Sequence, residues 1–209
     1  MTSGVVIVDT GCANVASLKY AIERLGYETR VSVDAAEISD ATSVFLPGVG
    51  TAKAVMRSLL DNKLTEVIKN LSQPLLGICL GMQIFSSYSN EGDGEPVECL
   101  DLFKGQLEDV KLIETNELPV PHMGWNTVEK VTDSKLFECV EPKDRFYFVH
   151  SYMVPTGETT TAECNYGENF SASINYKNFY GVQFHPERSG KVGAKVLSNF
   201  LNIGSEAAK

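Results

Sequence analysis

No stretch of the chain approaches the roughly 18 to 20 consecutive apolar residues of a membrane helix, so a helical membrane span is excluded from the outset. Positive charge is also short. Its 18 Lys and Arg stand against 27 Asp and Glu, a formal net charge of −9, which argues against a general nucleic-acid binder that must meet phosphates with a basic face. Cysteine pairing is absent: Cys12, Cys79, Cys99, Cys139 and Cys164 are odd in number and none is spaced C-x-x-C. That speaks against a disulfide framework and against the usual zinc sites, so neither a metal nor a cofactor is expected. Met1-Thr2-Ser3-Gly4 runs straight into Val5 without a basic leader or a small-residue cleavage pattern, and a cytoplasmic location is expected. Histidine occurs only three times and tryptophan once.

What is present is the composition of a globular protein, 43% apolar and 22% charged over 209 residues, long enough to bury a sizeable core. The first ninety or so residues alternate two periodicities. Val5 to Val8 is a short apolar run suited to a strand buried on both faces. Val15, Leu18, Ile22 and Leu25 then fall at helical spacing, with Gly26 as a C-terminal stop. Strands are expected at 29–33, 43–46 and 75–78, and helices at 53–60, 64–71 and 81–88. Such alternation is the signature of a parallel sheet flanked by helices.

Beyond the loop 90–94 strand-like stretches dominate, at 107–113, 127–131, 145–154, 171–176 and 179–184, before a last helix over 190–201. There is no repeat and no low-complexity linker. The expected fold is α/β: a mostly parallel sheet flanked by helices with an antiparallel β extension, all within one domain spanning residues 1–209.

The most specific local feature is Gly77-Ile78-Cys79-Leu80-Gly81, a G-x-C-x-G run where an apolar strand turns into a helix. A nucleophile on such a turn is held in a strained backbone and needs small neighbours on both sides. The helix that follows would direct its N-terminus at the sulfur and favour thiolate over thiol, and the Leu80 N–H would face a tetrahedral oxyanion. A thiolate needs a base and a proton donor. His122 and His150 read as structural. His185 is the better candidate, because Pro186 holds it extended and places the Glu187 carboxylate on the same side, where it can orient the imidazole.

Two further strings carry alternatives. Pro47-Gly48-Val49-Gly50 is an ordinary turn or an oxyanion strand whose glycines let a backbone N–H approach substrate. Pro121-His122-Met123-Gly124-Trp125-Asn126 places the only tryptophan beside turn residues, as core or as a contact anchor.

Together these motifs resemble the class I (triad-type) glutamine amidotransferases, and among them the family of glutaminase subunits of imidazole glycerol phosphate synthase. The likeness covers nearly the whole chain. It includes Ile7-Val8-Asp9-x-Gly11-x-x-Asn14, Tyr147-Phe148-Val149-His150-Ser151-Tyr152 and Gln183-Phe184-His185-Pro186-Glu187 besides the strings above. The resemblance implies Cys79 as nucleophile, His185 as base and acid, and Glu187 as the orienting carboxylate. It implies oxyanion donors at Val49, Gly50 and Leu80, and contacts to L-glutamine from Gln83, Glu91, Ser151 and Tyr152. Asn14, Tyr147, Arg188 and the segment Pro121, His122, Met123, Gly124, Trp125 and Asn126 match the surface docked on a cyclase subunit, a (β/α)₈ barrel on a separate chain. Arg188 stands where a lysine is frequent, keeping the charge with different geometry. The resemblance also implies that released ammonia is channelled to the cyclase, whose ligand switches the glutaminase on.

A glutaminase serving another synthase, of the pyridoxal phosphate or anthranilate type, would share Cys79, His185 and Glu187 but lack Pro-His-Met-Gly-Trp-Asn. A cysteine hydrolase acting on esters or peptides would not be labelled by a glutamine-mimicking diazo ketone. A non-catalytic binding subunit would have no use for all three reactive residues.

Overall fold

Val5–Val8 forms β1, and its side chains divide between two cores. Val5 and Ile7 pack with Leu18, Ile22 and Phe200, whereas Val6 and Val8 pack with Ile38, Val55, Leu59 and Ile68. A strand whose alternate residues all find apolar partners lies inside a sheet covered on both faces. The computed structural model describes residues 4–11, 15–91 and 94–207.

After β1 come α1 (Val15–Glu23), β2 (Thr29–Ser32), α2 (Ala35–Ser39), β3 (Ser43–Gly48), α3 (Ala52–Asp61), α4 (Thr65–Lys69) and β4 (Leu75–Cys79). α5 (Leu80–Gln83) follows β4 without a break, and short strands β5 (Tyr88–Ser89), β6 (Val97–Glu98) and β7 (Lys111–Leu112) lead away from it. The second half holds β8 (His122–Thr127), β9 (Glu129–Lys130), β10 (Arg145–His150), β11 (Tyr152–Met153), β12 (Thr160–Tyr166), β13 (Glu168–Tyr176), β14 (Phe179–Val182) and α6 (Gly190–Ala207).

One eight-stranded sheet runs in the order β2-β1-β3-β4-β14-β13-β12-β9. Its first five strands are mutually parallel and the last three antiparallel, which is the expected mostly parallel sheet with an antiparallel extension. The carboxyl ends of β3 and β4 lie side by side, Gly48 opposite Cys79. That crevice is where open α/β sheets place their chemistry. β8 and β10 form a separate antiparallel pair that carries residues from the second half over the same end.

Several expected boundaries shift. α2 went unread because five residues are too few to show a period; its start is fixed by Asp34, whose Oδ1 accepts from the Ala36 and Glu37 amides. β12 is polar yet internal, since Thr160 and Thr161 hydroxyls pair with Ser171 and Ser173 on the next strand. The strand expected over 107–113 shrinks to β7, and the one over 145–154 breaks at Ser151 into β10 and β11. The helix expected over 81–88 is the single turn α5. The segment read as turn-flanked around Trp125 is strand β8.

Candidate active site

Cys79 closes β4 with φ 55° and ψ −113°, a backbone conformation that costs an L-residue energy and persists only where its surroundings impose it. The neighbours do so. A Cβ on Gly77 would stand 2.6 Å from the Gly81 carbonyl oxygen, and one on Gly81 would overlap the Leu46 carbonyl. The two glycines of G-x-C-x-G are thus demanded by contact between the turn, its own helix and β3.

Around the sulfur lies a cleft of about 340 Å³ lined by Val49, Gly50, Cys79, Leu80, Gln83, Glu91, Pro121, Val149, His150, Ser151, Tyr152 and His185. Every residue expected to donate to an oxyanion or to touch substrate is among them. Leu80 starts α5, so its N–H has no acceptor within the helix. Glu91 is committed at one oxygen: its Oε2 accepts from the Ala52 N–H at 2.7 Å at the start of α3. Burial raises the Glu91 pKa and that amide lowers it, with burial the stronger. Gln83 is nearly buried, and its side-chain nitrogen donates to Tyr152 O at 2.7 Å and Gln183 Oε1 at 2.8 Å.

His185 Nδ1 lies 2.8 Å from Glu187 Oε1, both side chains buried. The expected pairing is present, though its backbone is not a continuous strand: His185 is extended and Pro186–Arg188 form a 3-10 turn that swings the carboxylate back. Burial by itself disfavours an imidazolium, but Cys79 and Glu187 outweigh it and push the His185 pKa up to about 10. The Cys79 sulfur and the imidazole line the same cleft, and His185 Nε2 has no hydrogen-bond partner. A nitrogen left free beside a sulfur is poised to take or give a proton there. The His185 N–H bonds Tyr147 O, and Ser189 Oγ bridges the Tyr147 N–H and His185 O, so β10 and the histidine turn move as one.

His122 and His150 sit opposite each other on β8 and β10, buried and 3.1 Å apart. Burial lowers their pKa values to about 4 and about 3. Both are neutral at pH 7, in keeping with a structural reading. Strand alternation also turns His122 inward, away from the surface formed by Met123 and Trp125, which are 62% and 52% exposed. Pro121 is exposed at the cleft, and Gly124 and Asn126 are half-buried. Tyr147 is crossed by Trp125 edge-on at 5.9 Å and covered by the Arg188 guanidinium at 4.4 Å. Asn14 lies outside the described residues. Sequence reasoning assigned no role to Gln183. It is fully buried and its Nε2 donates to Cys79 Sγ at 3.5 Å; the signal available was its place two residues before His185 at the end of a strand.

Among the described residues no helix is long and apolar enough to cross a membrane. A model of the family Glutamine amidotransferase class-I matches residues 6–203. The imidazole glycerol phosphate synthase subunit HisH of Vibrio cholerae is 51% identical over 206 residues, covering 97% of this chain and 100% of its own. That of Vibrio parahaemolyticus is 52% identical over 202 residues, covering 95% and 98%. A crystal structure of a glutamine amidotransferase superposes with a TM-score of 0.70 at 18% identity, over 97% of this chain and 100% of that one. The chain belongs to the class-I glutamine amidotransferases, and within them to the family of imidazole glycerol phosphate synthase subunit HisH.

Proposed function

We propose that this chain, working as one domain in the cytoplasm, is the glutaminase subunit of imidazole glycerol phosphate synthase. It hydrolyses L-glutamine to glutamate and ammonia and passes the ammonia to a (β/α)₈-barrel cyclase. There ammonia is used to form imidazole glycerol phosphate and an aminoimidazole carboxamide ribotide. The observation that carries the reading is the buried His185–Glu187 pair, 2.8 Å across, whose His185 shares one cleft with a cysteine on a strained strand-to-helix turn.

In the proposed reaction the Cys79 thiolate attacks the carboxamide carbon of glutamine. The oxyanion is met by the Leu80 N–H and, after a backbone adjustment, by one from Val49 or Gly50. Gly50 has φ +92°, so its peptide can reorient without a side-chain clash. One such donor is worth about 2.7 to 4 kcal/mol of barrier, enough for a turned-away strand to hold the enzyme nearly idle. His185 protonates the leaving nitrogen, ammonia departs, and a glutamyl thioester remains. Water deprotonated by His185 then frees glutamate. Gln83, Glu91, Ser151 and Tyr152 would hold the amino-acid end of the substrate. Met123, Trp125 and the Arg188-capped Tyr147 form an apolar and cationic surface beside the cleft, the proposed docking face for the cyclase.

Cys79→Ala tests the reading. It should abolish glutamine-dependent synthesis by the complex while ammonia-dependent synthesis continues; glutamine-dependent turnover that survives the substitution would sink it. Mixing with the cyclase should raise glutaminase activity, and equal rates with and without it would remove the proposed coupling.

A further inference from the structure

A line of buried neutral groups runs from the Cys79 sulfur to strand β8, and its direction follows atom by atom. A backbone carbonyl can only accept, so Tyr152 O, 2.7 Å from the Gln83 side-chain nitrogen, fixes which end of that amide is nitrogen. The same nitrogen donates to Gln183 Oε1 at 2.8 Å, which turns Gln183 Nε2 to the sulfur at 3.5 Å. Tyr152 O also accepts from His150 Nδ1 at 2.9 Å, leaving His150 Nε2 to accept from His122 Nδ1 at 3.1 Å. His122 Nε2 then faces the Asn126 amide nitrogen at 3.5 Å, and that nitrogen also donates to Asn165 O at 3.0 Å. No donor meets a donor anywhere along the line.

Gln183 gives the sulfur a second polar neighbour besides His185, which lines the same cleft. α5 is a single turn, so its aligned peptide dipoles are few. Val149 O, at 3.8 Å, can accept from the thiol but repels a thiolate. The geometry points to Gln183 as a further catalytic residue of the glutaminase reaction proposed above, on which this inference rests. Its Nε2–H donates to Cys79 Sγ and steadies the thiolate before attack and as it leaves the thioester. His150 and His122 are positioning residues: they hold the Tyr152 carbonyl that fixes Gln83, and Gln83 in turn holds the Gln183 amide the right way round. His122 is itself fixed between the rings of Tyr166 and Phe148, at 3.9 and 4.8 Å between centroids.

The test is the pH profile of Cys79 alkylation by iodoacetamide, read at that residue by mass spectrometry because Cys139 is exposed and would react too. It is combined with kcat and KM for glutamine in the complex with the cyclase. Gln183→Met keeps the shape of the side chain and removes the donor. His122→Phe keeps the ring stack and cuts the line four hydrogen bonds from Gln183. A hydrogen bond to a charged acceptor contributes about 1.5 to 3 kcal/mol. Gln183→Met should therefore move the profile up by about one pH unit or more and lower kcat roughly tenfold or more at near-constant KM. His122→Phe should shift both in the same direction by less. Ammonia-dependent synthesis and thermal melting report folding independently, and Gln183→Leu replaces the Met variant if that fails to fold. A wild-type alkylation profile in the Gln183 variants, with or without a lower melting temperature, overturns the proposal, and an unchanged His122→Phe profile removes the histidines from it. Because alkylation needs no glutamine, these outcomes are separate from Cys79→Ala, which alone decides whether the chain is a glutaminase.

Discussion

At the scale of single residues, the site is built from groups that could not persist alone. Cys79 holds a strained backbone because Gly77 and Gly81 leave no room for another path. His185 keeps its proton far above the ordinary imidazole range although burial opposes it, because Cys79 and Glu187 both favour the charged ring. Glu187→Gln keeps the shape and one accepting oxygen but removes the charge. The His185 pKa should then fall, the imidazole should lose its fixed orientation, and kcat should drop roughly 10²-fold or more, the scale of a lost general acid–base arrangement, with KM changed little. Steady-state kinetics on glutamine check this, and a variant within threefold of wild type would show that the carboxylate does not orient the base.

At the scale of elements, α6 presses two glycines against different ends of the molecule. A Cβ on Gly193 would overlap the Pro186 carbonyl, inside the turn that carries His185 and Glu187, whereas one on Gly204 would overlap the Ser43 hydroxyl at the far end of β3. Overpacking typically costs about 1 to 3 kcal/mol, so Gly193→Ala and Gly204→Ala should both lower the urea midpoint. Only Gly193→Ala should also lower glutaminase kcat, since it alone displaces the histidine turn; equal kinetic losses would refute that division. The strands and helices of the parallel half were legible in the sequence because each buries an apolar face with its own period, as β1 and α1 do. α2 and β12 were not, the first being held by one aspartate cap and the second by hydroxyl pairs across strands, neither of which leaves a hydrophobic pattern. Cys79, His185 and Glu187 could be read from a strained turn and a proline-fixed spacing. Gln183 could be placed by its spacing from His185 but not given a role, because that depends on how two amides and a carbonyl face one another, which only the packed fold determines.

At the scale of the whole molecule, the three histidines set opposite pH slopes that meet near the unfolded imidazole pKa of about 6.5. His122 and His150 have folded values pushed down to about 4 and about 3 by burial. Between those values and 6.5 the unfolded chain binds more protons, so their stabilising contribution is complete above 6.5 and lost as pH falls through the folded values. His185 is the reverse. With a folded value of about 10, its contribution is complete below 6.5 and lost as pH rises through 10. Urea unfolding measured from pH 4.5 to 9.5 should therefore show stability falling on both sides of a maximum near neutrality. Carboxylates titrate on the acid side as well, so the imidazole share is isolated by difference: His122→Phe should flatten the acid arm and leave the alkaline arm as it was. Cys79→Ala removes one of the two groups that hold the His185 proton, and it should flatten the alkaline arm in part without touching the acid one. If Cys79→Ala left the alkaline arm as steep as wild type, the sulfur would not be coupled to His185 in the folded state, and the acid–base partnership on which the chemistry depends would fail with it.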